Sequence, residues 1–176
     1  MRLIKLGVIS ILILFLLVTG IGLLFPSVAK VSRAIDINAP VDSVYKVLSD
    51  FRYWPLWMDG LNNQTPELLT GTTTGRNATV KFGNNTISFE ELDSNSIKTV
   101  WIGTNRNKQE GNFRLISNPQ KTLTTVNWYF IEQLNWYPWE RFASMMNDNI
   151  LGPTMEKSLE NLKQLSEGRT VNPANQ

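Results

Sequence analysis

An α+β architecture is what this chain of 176 residues predicts: one curved antiparallel sheet laid against a long C-terminal helix, preceded by a membrane-spanning helix. Three observations carry it. Residues Trp139 to Glu167 hold the longest apolar stripe, in which Phe142, Met146, Ile150, Met155, Leu159 and Leu162 recur at close to helical spacing. Glu67 to Glu132 breaks into short alternating runs separated by turn signals. Leu6 to Phe25 contains no charged side chain.

Taken in order, residues 1–5 form a short basic N-terminus with Arg2 and Lys5. Residues 6–25 follow as a transmembrane helix, because twenty residues rising 1.5 Å each reach about 30 Å, the hydrocarbon thickness of a bilayer. A cleaved leader is the alternative, with Ser27 and Ala29 as small residues at its end. The apolar run exceeds the roughly 7 to 15 residues of such a leader, which favours an uncleaved anchor. Arg2 and Lys5 face Lys30 and Arg33 across the span, and the free amino terminus tips the balance to N-terminus inside, domain extracytoplasmic. A linker of residues 26–30 reaches at most about 17 Å, so the domain sits close to the bilayer.

The folded domain is expected over 31–167. Val31 to Asn38 alternates as a strand, with Val31, Ile35 and Ile37 on one side. Pro40 opens a helix whose apolar face is Val44, Tyr45, Val47 and Leu48, with Asp42 near its positive end. Ser49 and Asp50 start a second short turn through Trp54, stopped at Pro55. Strands are then predicted over Asn77–Phe82, Thr86–Leu92, Ile97–Thr104, Glu110–Ser117 and Lys121–Glu132, with a short one at Leu68–Thr70. This meander needs a cover for its apolar face, and the C-terminal helix, about 40 Å long, is the element that supplies one. Gly152-Pro153 predicts a kink or a break in it. Residues 168–176 read as a flexible tail.

Composition narrows the chemistry. Hydrophobic residues are 42% and charged residues 18%, as in an ordinary globular domain. The formal charge of +2 resides near the anchor: without Arg2, Lys5 and Lys30, 14 basic residues face 15 acidic ones, which leaves no footprint for nucleic acid. With no His and no Cys, the usual general base, zinc ligands and thiol nucleophile are missing from the sequence, so no cofactor, metal or catalytic residue is assigned.

Several stretches, Arg33-Ala-Ile-Asp-Ile-Asn-Ala-Pro40 with Val44-Tyr45, Trp54-Pro-Leu-Trp57, Thr125-Val-Asn-Trp128 and Ile150 through Lys163, occur in an order and spacing that resemble the START-like, birch-pollen-allergen-like superfamily, also labelled SRPBCC or polyketide cyclase/dehydrase. The resemblance spans about residues 30 to 166. It implies a helix-grip fold, strand order β-α-α-β(5–6)-α, with a cavity between sheet and last helix that in many relatives holds a lipid or other apolar molecule. It carries over no catalytic residues.

The cavity set expected on that basis is Trp54, Trp57, Phe82, Phe89, Trp101, Phe113, Trp128, Phe130, Met145, Met146 and Ile150, large flat or flexible side chains suited to an apolar pocket or to plain core packing. Polar anchors are sought at Glu91, which alternates with Ile87 and Phe89, and at Asn127 and Tyr129 on the last strand. Trp136-Tyr137-Pro138-Trp139 is expected either to touch the membrane or to plug the start of the last helix. The function expected is a membrane-tethered, non-catalytic module binding an apolar small molecule or lipid. The alternatives are a cyclase- or dehydrase-like enzyme using Glu91 or Tyr129, and a protein-partner-binding domain.

Overall fold

The computed structural model describes residues 2–24, 27–61, 64–104, 108–134 and 138–168, with side chains from Ile4 to Leu134 within those spans and from Asp148 onward. Its elements are α1 (Arg2–Leu23), β1 (Val28–Ile37), α2 (Val41–Leu48), α3 (Trp54–Trp57), β2 (Glu67–Leu68), β3 (Thr79–Phe82), β4 (Asn85–Asp93), β5 (Ser96–Ile102), β6 (Lys108–Ser117), β7 (Thr124–Gln133) and α4 (Pro138–Ser166). All seven strands form one antiparallel sheet in the order β1-β7-β6-β5-β4-β3-β2. The predicted helix-grip arrangement is therefore present, with β1 closing the meander from the far side through its full-length pairing with β7, Val28 opposite Gln133 and Ile37 opposite Thr124.

Strand β1 starts at Val28, three residues earlier than its alternation suggested, because Leu134 N–H donates to Ser27 O and extends the ladder toward the apolar helix. The link from α1 to β1 shrinks to residues 24–27. Pro40 is the cap before α2 rather than its first residue, since its ψ of 146° is extended. Strand β7 begins at Thr124: Asn118 Oδ1 accepts the N–H groups of Thr122 and Leu123 and turns the intervening residues, with Lys121 at φ 57°.

The long helix runs through Gly152-Pro153 as one element. Its buried stripe is Met155, Leu159 and Leu162, with Ser158 beside them. One turn before Met155 on that face stands Leu151, which packs on the core, whereas Ile150 is 63% exposed. At 3.6 residues per turn, the five-residue step from Ile150 to Met155 carries Ile150 well round the helix, so its assignment to the cavity is corrected. Helix α4 lies chiefly along β1 and against α3. Arg33, on the inner face of β1, reaches over Gly152 and binds Asp148 Oδ1 through Nη1 at 2.8 Å and Glu156 Oε1 through Nε at 2.6 Å. The guanidinium holds the Asp148 carboxyl below its ordinary range. Both carboxylates are well exposed and screened by water, so the pairs contribute little to stability and serve mainly to orient the helix.

The concave face of the sheet is filled from within by α3. Trp54 and Trp57, three residues apart on one short turn, both point inward and are fully buried. Trp54 sits among Phe51, Trp57, Phe89, Trp101 and Phe113, with centroid separations of 4.8 to 6.1 Å. Its Nε1–H donates to Leu48 O at 2.9 Å. Phe82, Phe89 and Phe113 complete this core.

Asp50, buried at the α2–α3 corner, pins the adjoining loop. It accepts from Arg52 N–H at 3.0 Å and from the Arg52 guanidinium at 2.6 to 3.1 Å, while its backbone bridges Thr74. Burial pushes this carboxyl up, but the Arg52 side chain and N–H, with the Thr73 hydroxyl, pull it net below its ordinary value. The folded state thus binds this proton more weakly than the unfolded chain does. The stabilisation is complete above the unfolded pKa of about 3.9 and is lost as pH falls through the lower folded value. Asp50→Asn is expected to lower the urea midpoint at pH 7 and to flatten its fall between about pH 5 and pH 2; an unchanged acid slope would contradict this role.

Candidate functional site

The register places one pocket at a defined end of the sheet. Strand β1, which follows α1, starts, β7 ends, β6 starts, β5 ends and β4 starts at the same end of the sheet, where Val28, Gln133, Lys108, Ile102 and Asn85 stand. There a pocket of about 470 Å³ opens between sheet, the segment after α3, and α4. Asn85, Gly103, Thr104 and Gln109 form its rim at the strand ends. Trp101, Phe130 and, deeper along β7, Trp128 form its inner wall; Met58 to Leu61 and α4 residues Leu151 and Thr154 close it opposite.

Local structure sets each wall. Strands alternate, so Trp101 on β5, Gln109 on β6, and Trp128 and Phe130 on β7 share the inner face. Between them lies Gly111, opposite both Thr99 and Phe130. A Cβ there would stand 2.8 Å from Thr99 Oγ1, 2.8 Å from Trp101 Nε1 and 2.9 Å from Phe130 Cε1, so glycine is what lets these groups close together. Thr99, fully buried, donates its hydroxyl to Gly111 O at 2.7 Å and accepts Trp101 Nε1–H at 2.9 Å, which fixes the Trp101 ring against the wall. The opposite wall is held to α4 by polar contacts. Asp59 N–H donates to Ser158 Oγ at 2.9 Å, Asn161 Nδ2 to Trp57 O at 3.2 Å, and Lys157 Nζ lies 3.2 Å from Asp59 Oδ1.

Chemically this is an apolar pocket with a polar lip. Among the described residues Asp59 is the one ionisable residue lining it, and its carboxylate is engaged by Lys157. Trp128, which packs on Trp57, Phe113 and Phe130, carries an Nε1–H with no hydrogen-bond partner among the described residues, as does Trp57. An unpaired buried donor costs about 1 to 3 kcal/mol, so a ligand oxygen within reach of Trp128 would gain a contact the protein does not itself supply.

Of the residues expected to line a cavity, the structure brings Trp101, Trp128 and Phe130 to the pocket. Trp54, Trp57, Phe82, Phe89 and Phe113 are core instead, because the α3 tryptophans occupy the space beneath the sheet. The side chains of Met145, Met146 and Trp139 lie outside the described residues, as do Trp136 and Tyr137. The three polar anchors are on the wrong face. Asn127 and Tyr129 alternate with the inward Trp128 and so point outward, where Asn127 accepts from Ser32 Oγ at 3.0 Å and Tyr129 stacks beneath Lys30 Nζ at 4.8 Å. Glu91 is exposed because the register shifts between Phe89 and Glu91, a bulge that turns Leu92 toward the core and sets Glu91 opposite Lys98. Lys98 pairs there with Glu90 at 2.9 Å, which holds the Glu90 carboxyl below its usual range. The residues missed by sequence reasoning, Met58 to Leu61, Asn85, Gly103, Thr104, Gln109, Leu151 and Thr154, lie mostly in loops and at strand ends, where periodicity carries no signal.

Comparison with known proteins agrees with this fold. The family model described as polyketide cyclase / dehydrase and lipid transport matches residues 28–167. Among solved structures, CalU16 from Micromonospora echinospora superposes with a TM-score of 0.57 at 15% identity, over 82% of this chain and 78% of that one. A protein from Nitrosospira multiformis gives 0.61 at 12% identity, over 84% and 99%. The di-domain ARO/CYC StfQ from the steffimycin biosynthetic pathway gives 0.57 at 12%, over 80% of this chain and 51% of its own, about half its length. At such identities the likeness is one of fold. No curated protein matches the sequence.

Proposed function

The chain belongs to the polyketide cyclase / dehydrase and lipid transport family, and from that premise we propose that it is a membrane-tethered binding module which holds a hydrophobic small molecule or lipid in the pocket at the α1 end of the sheet and does no chemistry on it. The observation that carries this reading is the pocket itself: about 470 Å³, in the range that holds a drug-sized ligand, walled by Trp101, Trp128, Phe130, Leu61 and Leu151, with polar groups at its rim. Helix α1 supports the tether, since Ile4–Leu23 is long and apolar enough to cross a bilayer. A cyclase-like enzyme would need a proton-moving group beside the ligand, and Glu91 and Tyr129 stand on the other side of the sheet.

Native mass spectrometry of the full chain released from lipid nanodiscs tests the reading. One apolar adduct per chain is expected, and Thr154→Trp, which fills the pocket from α4, is expected to reduce its occupancy at least tenfold, by about 1.4 kcal/mol or more. An adduct retained in Thr154→Trp with unchanged thermal stability would contradict the proposal.

A further inference from the structure

The pocket opens at the end of the sheet where β1 follows α1. Helix α1 ends at Leu23 and β1 begins at Val28, so residues 24–27 can extend only about 13 to 14 Å. The edge of the sheet at which β1 starts is therefore the edge held nearest the bilayer. Antiparallel pairing carries that edge across the sheet: Lys30 lies opposite Ile131, Ile131 opposite Glu110, Glu110 opposite Val100, and the rim residues Gln109, Gly103 and Asn85 stand at or beyond that level. The opposite edge is marked by Asn38, whose N–H donates to Glu167 Oε1 at the far end of α4.

Three further features lie at the same edge. A small cleft shares Gln109, Phe130 and Leu151 with the pocket and reaches Ala29 and Val31, the residues that follow the span. Helix α1, half-buried at Val18 and Thr19 and buried at Gly22, packs against α4, the helix that supplies Leu151 and Thr154 to the pocket wall. Leu24, Val28 and Ile102 are exposed apolar side chains at this end of the sheet, Val28 and Ile102 on the face away from the pocket.

From this geometry we infer that the pocket exchanges its ligand directly with the bilayer that holds α1, and that the ligand is a single-chain amphiphile whose apolar tail enters past the rim while its polar end stays at the lip. The inference rests on the binding function proposed above and deepens it. The volume of about 470 Å³ suits one acyl chain. Asn85, Thr104, Gln109 and Thr154 offer hydrogen bonds at the depth of the polar end, and Trp101, Trp128 and Phe130 offer aromatic contact to the tail. Transfer from the supporting leaflet spares the tail its passage through water.

The test uses the full chain in phosphatidylcholine vesicles containing a trace of diazirine-bearing palmitic acid, irradiated briefly and mapped by peptide mass spectrometry. A matched variant carries a flexible Gly/Ser insert of about 20 residues between Pro26 and Ser27, which frees the domain from its distance constraint without touching the pocket. In a second arm both chains are held in amphipol and receive the probe from cyclodextrin. The expected result is labelling of peptides containing Trp101, Trp128 and Leu151 in vesicles, lowered about tenfold or more by the insert, with equal labelling of both chains in amphipol. Equal labelling of both chains in vesicles, or labelling of the native chain in amphipol alone, overturns bilayer exchange and leaves the binding function standing. Absence of pocket labelling in both arms overturns the binding function and this inference together.

Discussion

Replacing Trp54 with alanine is expected to cost about 3 to 5 kcal/mol, close to the whole stability of a domain whose total lies in the range of about 5 to 15 kcal/mol. The side chain is fully buried and touches five other aromatic rings, so truncation leaves a cavity that rigid neighbours cannot close. It also strands Leu48 O, which loses the indole N–H at 2.9 Å. With a urea dependence of about 1 to 3 kcal/mol per molar, the midpoint should fall by at least 1 M, or roughly 1 to 3 M for mid-range values. A fall below about 0.5 M would mean that the α3 tryptophans do not organise the core. The distinction matters for function, because the same two rings that stabilise the sheet also exclude ligand from its centre and leave the pocket at one end.

The second large effect is expected at Gly111. Gly111→Ala introduces a Cβ within 3 Å of Thr99, Trp101 and Phe130, and two of these contacts are to groups already fixed, Thr99 by its bond to Gly111 O and Trp101 by its bond to Thr99. Overpacking of this kind costs about 1 to 3 kcal/mol. Because Trp101 and Phe130 are pocket walls, relief of the clash must also reshape the site, so ligand occupancy should fall along with thermal stability. A variant with native stability and native occupancy would show that the wall is softer than its hydrogen bonds imply. Thr154→Trp acts on the same pocket from the opposite side, through α4 rather than the sheet, and should leave Trp101 hydrogen-bonded to Thr99.

Much of this architecture is legible in the chain because two periodicities are strong. Alternation locates β4 to β7 to within a few residues, and the Met155–Leu159–Leu162 stripe identifies the buried face of α4. Period two also contains its own correction: if Trp128 and Phe130 face inward, Asn127 and Tyr129 cannot share their pocket. One local irregularity and one step out of period hide the rest. The bulge between Phe89 and Glu91 reverses the face of Glu91, and nothing in Phe89-Glu90-Glu91 announces it. Along α4 the count runs unbroken through Gly152-Pro153, and the residue four before Met155 is Leu151, so that Leu151 rather than Ile150 continues the stripe.

The pocket was less visible than the fold for a different reason. Its rim is built by residues brought together across strand ends and by the loop after α3, whose position depends on Ser158, Asn161 and Lys157 of a helix about 100 residues later. An aromatic-rich sequence announces that large rings will be buried, but not which of them pack on one another and which border a space. Here the deciding factor is that Trp54 and Trp57 occupy one four-residue helix and fill the concave face jointly, leaving Trp101, Trp128 and Phe130 at the open end.

Fluorine NMR of the full chain carrying 5-fluorotryptophan, assigned by single Trp→Phe replacements and titrated with oleic acid in nanodiscs, tests the central claim most directly. The resonances of Trp101 and Trp128 should shift on titration and saturate together, and that of Trp54 should move far less. A shift of Trp54 as large as that of Trp101, or no movement of Trp101 and Trp128 at saturating probe, would contradict a ligand pocket at this end of the sheet.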